Sequence, residues 1–162
     1  MQAKAYMREP FYKKMLYGSG RGLYLACLPG LFLLNKINSK ERTRGVINNR
    51  NEILLVRNWF GRQQWTLPGG GKQGGETDEQ TLQREIREET GIIISGGDFR
   101  RLGTVIYHEL ISPLVFTCYY KKITEAKEVK SISPELIDAR WYPLKNLPQN
   151  MSQVVNVSLK IL

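Results

Sequence analysis

Glu85, Glu88 and Glu89 stand at i, i+3 and i+4, the spacing that places side chains on one face of an α-helix. On a helix their carboxylates fall within an arc of about 100°. Three like charges so close repel one another, which destabilises an isolated helix. A cation bound among them reverses the sign of that effect. Carboxylate oxygens are hard ligands suited to Mg²⁺ or Mn²⁺. Mg²⁺ commonly takes one or two carboxylates and completes its shell with water and substrate phosphates. The pattern therefore predicts a metal site finished by a phosphorylated ligand. The competing reading is a solvated helical face whose charges form local ion pairs.

The flanking residues are suited to positioning that face. Thr77 offers a capping hydroxyl, and Asp78 and Glu79 suit the positive end of a helix. Leu82 and Ile86, four apart, can dock on a core, whereas Gln80, Gln83 and Arg87 lie on the opposite side, facing water. Gly91 is a stop just past the last turn. Ahead of the helix, Trp65-Thr66-Leu67-Pro68 reads as a short strand end. The run Gly69-Gly70-Gly71 then lets backbone approach a ligand closely.

Gly70, Glu76, Arg84, Glu85, Ile86, Glu88, Glu89, Gly91 and Ile92 occupy every defined position of one spaced pattern. The segment resembles the Nudix box: Gly, five residues, Glu, seven residues, Arg-Glu, an aliphatic, any residue, Glu-Glu, any residue, Gly, an aliphatic. The box covers 23 of 162 residues. The stretch from Arg44 to Arg57 is similar to the family's early strands. Ala139-Arg140-Trp141-Tyr142-Pro143-Leu144 is similar to its late strand and turn.

The resemblance implies an α/β/α sandwich with a mixed β-sheet. It also implies Mg²⁺- or Mn²⁺-dependent hydrolysis of a nucleoside diphosphate linked to another moiety. By position, Glu85, Glu88 and Glu89 would be metal ligands, with the Gly69 carbonyl completing the set. Glu85 is alternatively a residue that orients or deprotonates water. Arg84 would orient the carboxylates, with Glu76 as its ion-pair partner, and Gly70 and Gly91 would support the site. Because a catalytic base can lie outside the box, Glu109, Glu125 and Glu128 are further candidates. Arg57 is a candidate phosphate contact or a surface ion pair. Trp59 and Phe60 either stack on a base or pack against the core. His108 is the only histidine and reads first as a structural residue. Tyr107 lies slightly short of a tyrosine found in some diadenosine-polyphosphate hydrolases of the family. Pro113 lies beyond the proline associated with ADP-ribose specificity.

The length suits one domain, divided into an extension at 1–43 and the Nudix-like domain at 44–162. Residues 1–44 hold nine Lys/Arg and two Asp/Glu, most of the net charge of +9. Such a surface attracts polyanions, so an RNA 5′-end pyrophosphohydrolase is the rival to a hydrolase of small nucleotides. A non-enzymatic nucleotide-binding module is a third reading, although that class tends to lose box carboxylates and none is lost here. Leu23 to Leu34 is apolar but interrupted by Pro29 and Gly30. It reads as a helical element packed on the domain, or as a peripheral membrane or partner contact. There is no 18-residue apolar run. Cys27 and Cys118 lack a metal-ligand spacing and read as free thiols of a reducing, cytoplasmic compartment. Beyond the box, hairpins are expected around Asn49-Arg50-Asn51 and Ser112-Pro113, with a short strand at Asp138 to Tyr142. Ser152 to Leu162 forms a closing helix, although its valines also permit a strand.

Overall fold

The computed structural model describes residues 42–59, 62–96, 98–108, 113–124, 128–133 and 135–162. Most of the basic extension, with Cys27, lies outside the described residues. Six strands form one sheet: β1 (Arg42–Asn49), β2 (Glu52–Asn58), β3 (Trp65–Thr66), β4 (Arg100–His108), β5 (Pro113–Ile123) and β6 (Leu136–Pro143). The order is β3-β2-β1-β5-β4, with β6 along the other side of β2. β1 and β5 run parallel, from Arg42 opposite Phe116 to Asn49 opposite Ile123, and the other pairs are antiparallel. The sheet is therefore mixed.

The apolar run Ile53-Leu54-Leu55-Val56 is wholly buried because both faces of β2 are covered. Alternation sends Ile53 and Leu55, with Val46, Phe116 and Cys118, into one core. Leu54 and Ile47 join Leu82, Ile86, Ile92 and Phe99 in a second core on the opposite face. Helix α1 (Asp78–Thr90) covers that second face. Helix α2 (Gln153–Lys160) covers the first through Val154 and Val155. The valines do not make a strand here, because Ser152 ends the extended segment. Its N–H donates to the Trp65 carbonyl at 2.8 Å and its hydroxyl meets Thr66 Oγ1 at 3.1 Å.

β1 runs from Arg42, upstream of the glycine at 45, for a reason that also builds the site. It pairs with β2 only at Asn48–Ile53 and Asn49–Glu52, and then the two strands part. The glycine-rich loop fills the gap. Gly45 N–H donates to the Pro68 carbonyl and Thr43 N–H to the Gly70 carbonyl, both at 2.9 Å. Partners for these amides extend β1 past Gly45 and fasten the loop between strands.

α1 is delimited as its local sequence dictates. The Thr77 hydroxyl accepts from Gln80 N–H, and the Gln80 side chain accepts from Thr77 N–H, a reciprocal capping box worth about 1 kcal/mol. Gln80 is exposed as expected, but it has this additional role. At the far end Gly91 adopts φ 72° and its N–H caps the Arg87 carbonyl.

Candidate active site at the glycine loop

The loop's first two glycines answer to different neighbours. Gly69 has φ +132°, and a Cβ there would stand 2.4 Å from the Thr43 carbonyl oxygen. That leaves its N–H free to donate to Glu89 Oε2 at 3.0 Å. Gly70 faces the Glu85 carboxylate, whose Oε1 lies 2.3 Å from the place a Cβ would occupy. Loop backbone and helix carboxylates meet at these two positions.

Arg84 organises the rest. Its Nε donates to Glu76 Oε1 at 2.7 Å and its Nη2 to Glu76 Oε2 at 3.0 Å, a two-pronged pairing. Nη2 also reaches the Gly71 carbonyl at 2.9 Å, while Nη1 holds Glu85 Oε1 at 2.9 Å and Glu88 Oε2 at 3.1 Å. Five bonds match the five N–H donors of a guanidinium. Glu76 in turn accepts from Gln73 N–H and the Thr81 hydroxyl. The Arg84 bond holds the Glu76 carboxyl down at about 2, against the opposing effect of burial, while Glu76 raises the Arg84 guanidinium above its ordinary value.

Glu89 is in the contrary situation. Burial pushes its carboxyl up to about 8, opposed by the Arg44 charge and the Gly69 N–H and reinforced by Glu85 and Glu135. Arg44 is lowered by its own burial, while the negative charge of Glu89 and Glu85 opposes that effect. Low-dielectric surroundings thus disfavour both charged forms, and each charge supports the other.

The three box glutamates leave one helix within one turn, but their side chains diverge. Glu85 and Glu88 are drawn to Arg84, and Glu89 turns to Gly69. Among the described residues no three His, Cys, Asp or Glu side chains already enclose a common ion position. These hydrogen bonds engage one oxygen of each acid: Oε1 of Glu85, Oε2 of Glu88 and Oε2 of Glu89. The donor set nevertheless fits a hard divalent cation. It consists of oxygens, and a neighbouring cation favours the ionised form of the half-buried Glu89.

The other candidates scatter. Arg57 lies over the Trp65 ring at 5.3 Å, opposite Asp138 in the β2–β6 register, and Asp138 itself pairs with Arg140 at 2.5 Å. Trp59 is half-buried and donates its N–H to the Glu135 carbonyl at 3.2 Å. Glu128 is exposed and pairs with Lys130 at 3.4 Å. Tyr107 and His108 end β4, and Pro113 opens β5. Phe60, Glu109 and Glu125 lie outside the described residues. Cys118 is a buried free thiol.

Two residues at the site were not singled out from the sequence. Glu135 reaches Glu89 electrostatically from the segment leading into β6. Its neighbours give no periodic signal. Arg44 did carry a signal: a cation between buried Thr43 and Gly45, on the same face of β1 as core residue Val46. Lys72, Asp78 and Tyr119 form a further tie, with Lys72 Nζ 2.6 Å from Asp78 and the Tyr119 hydroxyl donating to the same carboxylate. It anchors the first turn of α1 to β5.

The family model described as NUDIX domain matches residues 40–159. An RNA pyrophosphohydrolase of Pseudoalteromonas translucida is 40% identical over 47 residues, 29% of this chain and 27% of that protein. A NAD-capped RNA hydrolase NudC of Vibrio cholerae is 32% identical over 104 residues, 63% of this chain and 36% of that protein. The chain thus spans less than half the length of these relatives. The crystal structure of a MutT NUDIX hydrolase from Burkholderia pseudomallei superposes with a TM-score of 0.66 at 23% identity, covering 76% of this chain and 97% of that one. That likeness concerns the fold. Among the described residues, no helix is long and apolar enough to cross a membrane.

Proposed function

The chain belongs to the Nudix family, and from that premise we propose that it is a divalent-cation-dependent pyrophosphohydrolase, cleaving a phosphoanhydride in a nucleoside diphosphate linked to another moiety. The observation that carries this reading is the junction of loop and helix. Gly69 N–H engages Glu89, Gly70 leaves room for Glu85, and Arg84 joins Gly71, Glu76, Glu85 and Glu88. Glu85, Glu88, Glu89 and the Gly69 carbonyl would hold Mg²⁺ or Mn²⁺. A bound ion offsets phosphate charge, polarises phosphorus and lowers the pKa of attacking water.

The chain's own residues supply position. Arg84 cannot lose its proton, so it orients Glu85 and Glu88 at any working pH. The loop, pinned to β1 at Thr43 and Gly45, brings backbone next to the carboxylates without side-chain bulk. Turnover of ADP-ribose, nucleotide sugars, dinucleoside polyphosphates and NTPs with Mg²⁺ or Mn²⁺ tests the reading. Glu89→Gln is expected to lower kcat by at least about a hundredfold. No turnover on any substrate, or turnover unchanged in Glu89→Gln, defeats it.

A second reading is favoured by two observations. The charge of residues 1–44 is strongly positive, and relatives named RNA pyrophosphohydrolase match this chain. RNA 5′-end hydrolysis predicts phosphate release from triphosphorylated RNA in preference to mononucleotides, weakened on removing residues 1–40. Equal activity on mononucleotides excludes it.

A further inference from the structure

Arg44 places a cation on β1 directly beside the glycine loop. It lies on β1 one residue from Thr43 and Gly45, the two residues whose amides fasten the glycine loop. A Cβ on Gly69 would come within 3.2 Å of the Arg44 Cα, so its backbone adjoins the loop directly. Its side chain shares the sheet face of Val46 and Phe116, opposite the face covered by α1. The guanidinium lies 4.9 Å from the centroid of the Phe116 ring. Its Nε is enclosed and donates to no group among the described residues. Glu89, the nearest box acid by charge, instead receives a hydrogen bond from Gly69.

A buried donor left without an acceptor is destabilising, and proteins retain few of them. A ring that fixes the plane of the guanidinium removes much of the entropy lost on forming a paired contact. The unmet need is for an anionic acceptor arriving beside the loop. Carboxylates of α1 approach that loop from one side of the sheet and Arg44 from the other. Arg57, stacked over Trp65, stands on the same face as Arg44. We infer that Arg44 is a substrate-binding residue that grips a phosphate of the bound polyphosphate chain and thereby selects for it. The identity of the ligand as substrate rests on the pyrophosphohydrolase reading, while the phosphate contact does not.

Calorimetric titration of the full chain with inorganic pyrophosphate in excess Mg²⁺ tests the contact without turnover. Losing a paired, charge-assisted contact is expected to weaken pyrophosphate at least about tenfold in Arg44→Gln, with Arg44→Lys intermediate. Arg100→Gln is the charge-matched control. Arg100 lies over Tyr120 at 5.3 Å on β4, away from the loop, and its removal should leave the affinity unchanged. Mn²⁺ affinity, titrated separately, reads the effect of losing the Arg44 charge beside Glu89, and the loss of pyrophosphate affinity is expected to exceed any change in Mn²⁺ affinity. In turnover, Arg44→Gln raises KM more than it lowers kcat.

Pyrophosphate affinity unchanged in Arg44→Gln overturns the inference. So does an equal loss in Arg100→Gln, which would reflect net charge, or a loss that merely follows weakened Mn²⁺ binding. If Arg44→Gln does not fold, Arg44→Lys decides: it keeps the charge and loses the planar fork, and unaltered affinity then overturns the inference. If no phosphoanhydride is hydrolysed yet Arg44→Gln loses pyrophosphate, the hydrolase reading fails and the phosphate contact stands. If phosphoanhydrides are hydrolysed and Arg44→Gln keeps its pyrophosphate affinity, the contact fails and the hydrolase reading stands.

Discussion

Adding one methyl group to either of two adjacent glycines should break the protein in two different ways. At Gly70 the atoms nearest an alanine Cβ would be the three of the Glu85 carboxylate, at 2.3, 2.5 and 2.8 Å. Ordinary contact begins near 3.4 Å, so the carboxylate must retreat by roughly 1 Å. A side-chain terminus can do this cheaply. The retreat stretches or breaks the 2.9 Å Arg84–Glu85 bond between two partly buried side chains, a loss of about 1 kcal/mol. A displacement of that size in a group acting on the reaction costs about a hundredfold in rate. At Gly69 the obstacle is the Thr43 carbonyl at 2.4 Å, with φ +132° besides. Backbone must move there, straining a residue by about 1–3 kcal/mol and pulling on the bonds that hold the loop to β1. Thermal melts with parallel turnover assays separate the two. Gly70→Ala should melt within a few degrees of the unaltered chain but lose about two orders of magnitude in kcat. Gly69→Ala should lose several degrees as well. Full activity in Gly70→Ala, or a larger stability loss there than in Gly69→Ala, refutes the reasoning.

Unfolding measurements should report on two further residues of the same elements. The Glu76 carboxyl is depressed in the folded state, to about 2 from an ordinary 4.5. Its stabilising contribution is therefore fully present above about pH 4.5 and disappears as pH falls through 2. Urea midpoints between pH 2 and 5 should decline less steeply in Glu76→Gln than in the unaltered chain, and parallel declines would refute the assignment. Leu82 is fully buried between α1 and the sheet, so Leu82→Ala should cost about 2–5 kcal/mol by urea unfolding, and a cost below about 1 would show that α1 is not packed as described.

Local features were legible because their causes are local. The helix from 78 to 90 follows from a capping hydroxyl at Thr77, two apolar residues four apart and a glycine free to turn left-handed at 91. The hairpin around Asn49-Arg50-Asn51 follows from turn residues that separate two apolar segments. The closing helix, ambiguous by propensity, starts where Ser152 bonds the Trp65 carbonyl and the Thr66 hydroxyl.

By itself, then, the amino-acid order determined the motif, the helix that bears its acids and the glycines that let a loop approach them. All of these are set by spacing within some 23 residues. Only the tertiary structure decided what Glu89 touches. Glu85 and Glu88 meet Arg84 within their own helix, but the fold turned Glu89 toward Gly69 and brought Arg44 close enough to influence it from 45 positions away. The physical reason is range. Helical periodicity is settled by neighbours three or four residues apart. The place of Arg44 instead depends on β1 lying parallel to β5 and parting from β2, pairings made across long stretches of chain.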